Sequence, residues 1–204
     1  MNEIVARAPW LWPLIRPAVR RFFSAHAAGW ADRVGAGSAA HLAPLATAAL
    51  HVGAAPERVL DVGCGSGEGT LFLAREFPQA RVRGVDISEE MIRLARGRVG
   101  LDPEGRIAFK TGDAAELPYP DGSFDLVAQL NLPPFFAELA RVLRPGGHVI
   151  VAASWGPDTP FYTPERRLAW GFAKRGIAQV AAGEAGSGTY FVGQLETAGA
   201  SPST

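Results

Sequence analysis

The run Val59-Leu60-Asp61-Val62-Gly63-Cys64-Gly65-Ser66-Gly67 constrains this chain more than any other stretch. An apolar segment breaks into glycines at every second position, so the backbone turns sharply at the end of a buried strand and leaves no side chain in the way of a ligand. A helical pattern follows from Glu68 to Phe77, and Pro78 stops it. Strand, glycine loop and helix in direct succession place a ligand at the carboxyl edge of a parallel sheet.

Glycine-rich loops serve nucleotide, dinucleotide and flavin sites alike, and their spacing separates them. A dinucleotide fingerprint needs a third glycine where this chain has Glu68, and a carboxylate there repels a pyrophosphate. A phosphate-binding loop needs a lysine, and Lys110 and Lys174 lie far from this one. The loop therefore suits a nucleoside that carries no phosphate.

Further acidic positions extend that reading. Arg81 to Val85 forms a second short strand that ends in Asp86, placed where an acidic side chain accepts both hydroxyls of a ribose. Ser88 reads as a helix N-cap, with Glu89 and Glu90 in the first turn. A third strand, Arg106 to Lys110, runs into Thr111-Gly112-Asp113-Ala114, where a carboxylate and a backbone N–H side by side fit the edge of an adenine.

With these segments assembled, the chain resembles the class I S-adenosylmethionine-dependent methyltransferases, in particular their small-molecule branch. LDVGCGSG, GVDIS, GDAAELPYPDGSFDLV and RVLRPGGHVIVA stand in that family's order between Val59 and Ala153. The resemblance implies a doubly wound, mostly parallel seven-stranded α/β sheet with a C-terminal antiparallel hairpin. It further implies that Asp61, Gly63, Cys64 and Gly65 surround the methionyl end of S-adenosylmethionine. Asp86 would hold the ribose, Ile87 the adenine face and Asp113 and Ala114 its rim, while the backbone of Gln129 and Leu130 approaches the cofactor's amino group. Two other functions stay open: a cofactor-binding protein without catalysis, and a nicotinamide-dependent oxidoreductase, which Glu68 and the missing glycine disfavour.

Several motifs have structural readings. A single cysteine without a partner reads as a small apolar filler, not a nucleophile. Asp125 and Pro120-Asp121-Gly122-Ser123 read as turn chemistry, and Arg144-Pro145-Gly146-Gly147 as a helix stop and a turn into a fifth strand. After the fourth strand, Leu130-Asn131-Leu132-Pro133-Pro134-Phe135-Phe136 is similar to the N-P-P-F tetrapeptide of amino-group methyltransferases. Leu132 separates Asn131 from the prolines, which breaks that motif. Phe135 and Phe136 are then expected to line a small-molecule pocket.

Twenty basic and twenty acidic residues leave no formal charge, which argues against a nucleic-acid partner. The lone cysteine fits a reducing compartment, and neither a membrane span nor a signal-peptide layout is present, so the expected location is the cytoplasm. Residues 1–57 read as an N-terminal helical cap or lid, with helices at Pro17 to Ala28 and Ala39 to His51, and residues 58–200 as the cofactor-binding core of one domain. Pro9, Pro13 and Pro17 punctuate the first stretch, and Trp10, Trp12, Phe22, Phe23 and Trp30 alternate there with arginines. Beyond the fifth strand come a helix at Pro164 to Arg175 and a hairpin over Ile177 to Leu195, divided at Gly186-Ser187-Gly188. In the resembled family such a hairpin closes the sheet, so the chain is expected to be complete with a short disordered tail at Ser201 to Thr204. Methyl transfer needs positioning and water exclusion before it needs a catalytic side chain. No base is assigned among His26, His41, His51 and His148, and no metal site is expected.

Overall fold

The computed structural model describes residues 11–197. The expected tail at Ser201 to Thr204, and Pro9 and Trp10, lie outside that range. Seven strands form one sheet in the order β3-β2-β1-β4-β5-β7-β6. The strands are β1 Arg58–Val62, β2 Arg81–Asp86, β3 Ile107–Thr111, β4 Phe124–Leu130, β5 Leu143–Ala153, β6 Ile177–Ala185 and β7 Gly188–Leu195. β1 to β5 run parallel, and β7 lies antiparallel between β5 and β6.

The core strands read as continuous apolar runs because both of their faces are covered. In β1, Val59 faces a cluster with Leu45, Leu73, Leu126 and Ile150, while Leu60 faces Val127, Leu139 and Val149. Helices α3 (Ala39–Ala49), α4 (Glu68–Glu76) and α5 (Glu89–Arg98) cover the first face, and α6 (Phe136–Val142) and α7 (Glu165–Ala173) the second. Ser38 caps α3 by accepting the His41 N–H at 3.2 Å, and Ser88 caps α5 by accepting the Met91 N–H at 3.3 Å.

Two local expectations change. The first helix, α1, spans Trp12–His26, with Pro13 in its first turn and Pro17 inside it. Proline fits the first turn because its missing N–H has no partner there, so the helix opens earlier than Pro17. Arg144 to Gly147 does not turn into β5 but bulges from it. Leu143 already pairs with Phe124, and pairing resumes at Leu126 with His148. Asp125 is structural: its carboxylate accepts the Glu57 and Arg58 N–H groups at 2.6 and 2.9 Å and pairs with Arg144 at 2.8 Å. Among the described residues, no helix is long and apolar enough to cross a membrane.

Candidate active site

The carboxyl ends of β1, β2, β4 and β5 open into one cavity of about 650 Å³, within the usual range of roughly 300–1,000 Å³ for small-molecule sites. The glycine loop forms its floor. Gly65 holds φ +52°, and nothing lies within 4 Å of the place where its Cβ would stand. Gly63 holds φ +71° and would bring a Cβ to 2.9 Å from Leu132. Backbone is thus bared to a ligand at Gly65 and packed tightly at Gly63.

Asp86 ties the loop to the second strand. One carboxylate oxygen accepts the Gly65 N–H at 3.0 Å and the other the Ser88 N–H at 2.8 Å. An ionised carboxylate has about four acceptor positions, so Asp86 keeps capacity for a ribose hydroxyl. Its burial pushes its pKa upward, and the three backbone hydrogen bonds from Ser88, Gly65 and Ile87 oppose that. Asp61 is buried in β1, accepts the Thr70 hydroxyl at 2.6 Å and sits against Gly69, where a Cβ would lie 3.1 Å from its Oδ2. Burial pushes Asp61 up to about 6, the Thr70 hydroxyl opposes this, and the charge of Asp86 adds to it. A cation brought beside Asp61 restores its ionised form.

Cys64 also lines the cavity, but burial, with Asp61 and Asp86 adding, raises its thiol well above the ordinary value. That removes the thiolate a nucleophile requires. Glu68, in the position of the absent third glycine, accepts the Ser66 hydroxyl and pairs with Arg98.

Of the positions singled out in the sequence, Asp61, Gly63, Cys64, Gly65, Asp86, Ile87, Ala114 and Leu130 come together on the cavity. Asp113 and Gln129 are adjacent but engaged elsewhere. Asp113 accepts the Trp12 indole N–H at 2.9 Å, the Arg16 guanidinium at 3.2 Å and the Ala115 N–H at 2.9 Å. Gln129 is buried and donates to the Leu132 carbonyl at 2.6 Å. Phe135 lines the cavity and meets Trp12 edge-on at 5.1 Å. Phe136 turns away from the cavity, against Phe172 and Gly171. The expectation that both rings line the pocket therefore holds only for Phe135: the two are consecutive and flank the start of α6, so they point to different sides.

The cavity wall also includes Met91, Trp155, Pro160 and Phe161, which the sequence reading passed over. The rule that ligands lie at strand carboxyl ends would have marked Trp155, two residues beyond β5. From α1 and α2 (Trp30–Val34) come Trp12, Ile15, Val19, Phe22, Phe23 and Trp30.

A sheet of this strand order, with its glycine loop after β1 and an acidic residue ending β2, is that of the class I S-adenosylmethionine-dependent methyltransferases. Residues 59–147 of this chain match the methyltransferase domain family. A demethylmenaquinone methyltransferase of Deinococcus radiodurans is 35% identical over 152 residues, which are 71% of this chain and 63% of that protein. A fatty-acid O-methyltransferase of Mycolicibacterium smegmatis is 42% identical over 101 residues, 46% of this chain and 36% of that protein. A chain from the complex of the Haloferax volcanii Trm112 methyltransferase activator with a methyltransferase superimposes with a TM-score of 0.68 at 21% identity, covering 85% of this chain and 97% of that one. At that identity the likeness is one of fold. This chain spans between about a third and two thirds of the length of the first curated relatives it matches. The cofactor of such methyltransferases is S-adenosylmethionine, and the cavity fits it: a bared glycine backbone, a half-buried carboxylate with acceptor capacity and no phosphate-binding lysine.

Proposed function

We propose that this protein transfers the methyl group of S-adenosylmethionine to a small, largely apolar acceptor. The observation that carries this reading is the single cavity that runs from Gly65 and Asp86 to a wall of Trp12, Phe22, Phe23, Trp155 and Phe161. The names of the two curated relatives, one acting on a demethylmenaquinone and one on fatty acids, agree with an apolar acceptor.

When bound, the cofactor supplies a methyl carbon activated by a positively charged sulfur. In this reading the chain's residues divide the remaining work. Asp86 accepts a ribose hydroxyl, with Ile87 and Ala114 beside the adenine. Asp61, Gly63, Cys64 and Gly65 surround the methionyl end, and the Leu130 backbone faces its amino group. Asp113 serves the adenine rim through its place beside Ala114, while its carboxylate holds α1. Residues 1–57 act as a cap: α1 and α2 close the cavity with apolar rings, exclude water and fix the acceptor against the methyl carbon. Dispersed transition-state charge loses less from such desolvation than the localised charge of the reactant.

Calorimetry with S-adenosylmethionine and S-adenosylhomocysteine tests the cofactor, and incubation of the protein with methyl-labelled cofactor and a lipid-soluble metabolite extract tests the transfer. Binding followed by a labelled apolar product is expected. A protein that binds neither cofactor form would overturn the reading.

A further inference from the structure

The chain has four histidines, and their surroundings separate them. His26 engages the Phe22 carbonyl, His51 stacks on Tyr190 and His148 is buried within β5. His41 is the one that lines the large cavity. It is 8% exposed, its Nδ1 is sealed from solvent, and among the described residues its ring has no hydrogen-bond partner. A ligand cannot reach the sealed Nδ1; Nε2, which is not sealed, is the ring nitrogen that a ligand in the cavity can meet.

His41 is held at its backbone by a short chain of hydrogen bonds and at its ring by one aromatic contact. Its backbone carbonyl accepts the Ser154 hydroxyl at 2.8 Å. Asn131 grips that serine from two sides, donating to its Oγ at 3.0 Å and accepting its N–H at 2.8 Å. To do so Asn131 holds φ +59°, a left-handed conformation that side chains other than glycine adopt at a cost. Trp155 meets the ring edge-on at 5.5 Å. This engagement also takes the Asn131 amide away from any target nitrogen, so the broken N-P-P-F motif has a different task here.

Sheet order puts His41 at the acceptor end. Asp86 and Ala114 mark the nucleoside side, at the ends of β2 and β3, while Asn131, Ser154 and Trp155 follow β4 and β5. Three strand spacings separate β2 from β5, or about 14 Å, which places His41 across the glycine loop from the ribose site.

We propose that His41 is the general base for an apolar acceptor carrying a weakly acidic hydroxyl on unsaturated carbon, a phenol or enol. This deepens the methyl-transfer reading and rests on it. The imidazole takes the hydroxyl proton as the O–H bond breaks, and the oxygen's electron pair forms the bond to the methyl carbon. The carbon–sulfur bond breaks with its electrons staying on sulfur, which becomes a neutral thioether, and the imidazolium later yields its proton to water. A phenol with a pKa near ~10 is almost wholly protonated at neutral pH, so the step needs such an acceptor of protons. A carboxylic acid, already ionised, does not.

Burial lowers the pKa of His41, which keeps the ring neutral and able to accept. The titratable groups that share its cavity are Asp61, Cys64, Glu68 and Asp86. On the strands that pack against α3, His148 lies in β5, Tyr190 of β7 bonds His51, and Glu184 of β6 lines a smaller neighbouring cavity.

The test uses the full chain with 4-hexylphenol as acceptor and dodecanoic acid as its ionised control. If calorimetry finds no binding of S-adenosylmethionine or S-adenosylhomocysteine, the methyl-transfer reading fails and takes the base with it; all later outcomes bear on His41. In the S-adenosylhomocysteine complex, 4-hexylphenol is expected to shift the His41 imidazole 1H–15N resonances saturably. Methyl transfer to 4-hexylphenol should fall about 10²–10⁴-fold in kcat in His41→Gln and His41→Phe, with cofactor affinity within about twofold of the wild type. The wild-type rate should rise with pH as the imidazole loses its proton, and that limb should vanish in His41→Gln. Resonances that ignore 4-hexylphenol, a wild type that methylates dodecanoic acid but not 4-hexylphenol, no transfer to 4-hexylphenol at all, or an unaltered acidic limb in His41→Gln would each overturn the proposal.

Discussion

Asp61 and Asp86 share a property that gives the site its pH behaviour: both are carboxylates, one buried and one half-buried, whose pKa is raised by desolvation. Asp61, at about 6 in the fold against 3.8 in its absence, is favoured as the neutral acid. Its contribution to folding is therefore complete below about 3.8 and lost as pH rises through about 6. Cofactor binding has the opposite sign, because a cationic amino group beside Asp61 favours the carboxylate. Affinity for S-adenosylmethionine should climb with pH up to about 6 and be roughly tenfold weaker one unit below it, with proton release visible by calorimetry in buffers of different ionisation enthalpy. A flat affinity across that window would remove Asp61 from the methionyl end. Asp86→Ala should cost about 1.5–3 kcal/mol of cofactor affinity, and because the backbone N–H groups it holds, those of Gly65 and Ser88 among them, lose their acceptor, the free protein should also melt lower. Unchanged affinity in a folded variant would displace Asp86 from the ribose. Gly65→Val should abolish binding, since its side chain would fill the open space above the loop, and the left-handed φ adds about 1–2 kcal/mol of strain to the free protein.

At the scale of elements, α1 is the piece whose removal is most informative. It reaches the core through Trp12 and Arg16 on Asp113, and a hydroxyl contact joins Ser24 to Ser88 at 3.0 Å. Deleting residues 1–16 removes the first two of those ties and leaves β1 to β7 in the chain. The truncated protein should fold and bind S-adenosylmethionine within a factor of about ten, while turnover falls much further as positioning and water exclusion are lost. An unfolded product would make α1 part of the core instead of a cover. The same element shows where sequence reading stops. The strands, the glycine loop and the hairpin were legible because burial on two faces and turn chemistry leave local marks, as in Val59 to Gly67 and Gly186 to Gly188. The tie between Trp12 and Asp113 bridges residues 101 positions apart, and no local pattern encodes it. His41 was visible as a residue but not as a wall of the cavity, because its place depends on Ser154 and on a left-handed Asn131.

For the whole molecule, a ligand that binds only the folded state stabilises it by mass action. S-adenosylmethionine at 100 times its Kd should add about 2.7 kcal/mol, which for a chain of this size raises Tm by roughly 5–10 °C. NAD at the same concentration should leave Tm unchanged, and a shift with NAD alone would revive the oxidoreductase reading. The sheet order has a further consequence for how the protein is made. β7, although last in the chain, lies inside the sheet, so β5 has no partner on that side until residue 195 has emerged. At ribosomal rates of about 5–20 residues per second, the interval from the end of β5 to the end of β7 is on the order of 2–8 s. Throughout it, the buried segment from His148 to Ala153 presents an open apolar edge to the crowded surroundings of the ribosome exit, and a nascent-chain chaperone is the protection such an edge calls for.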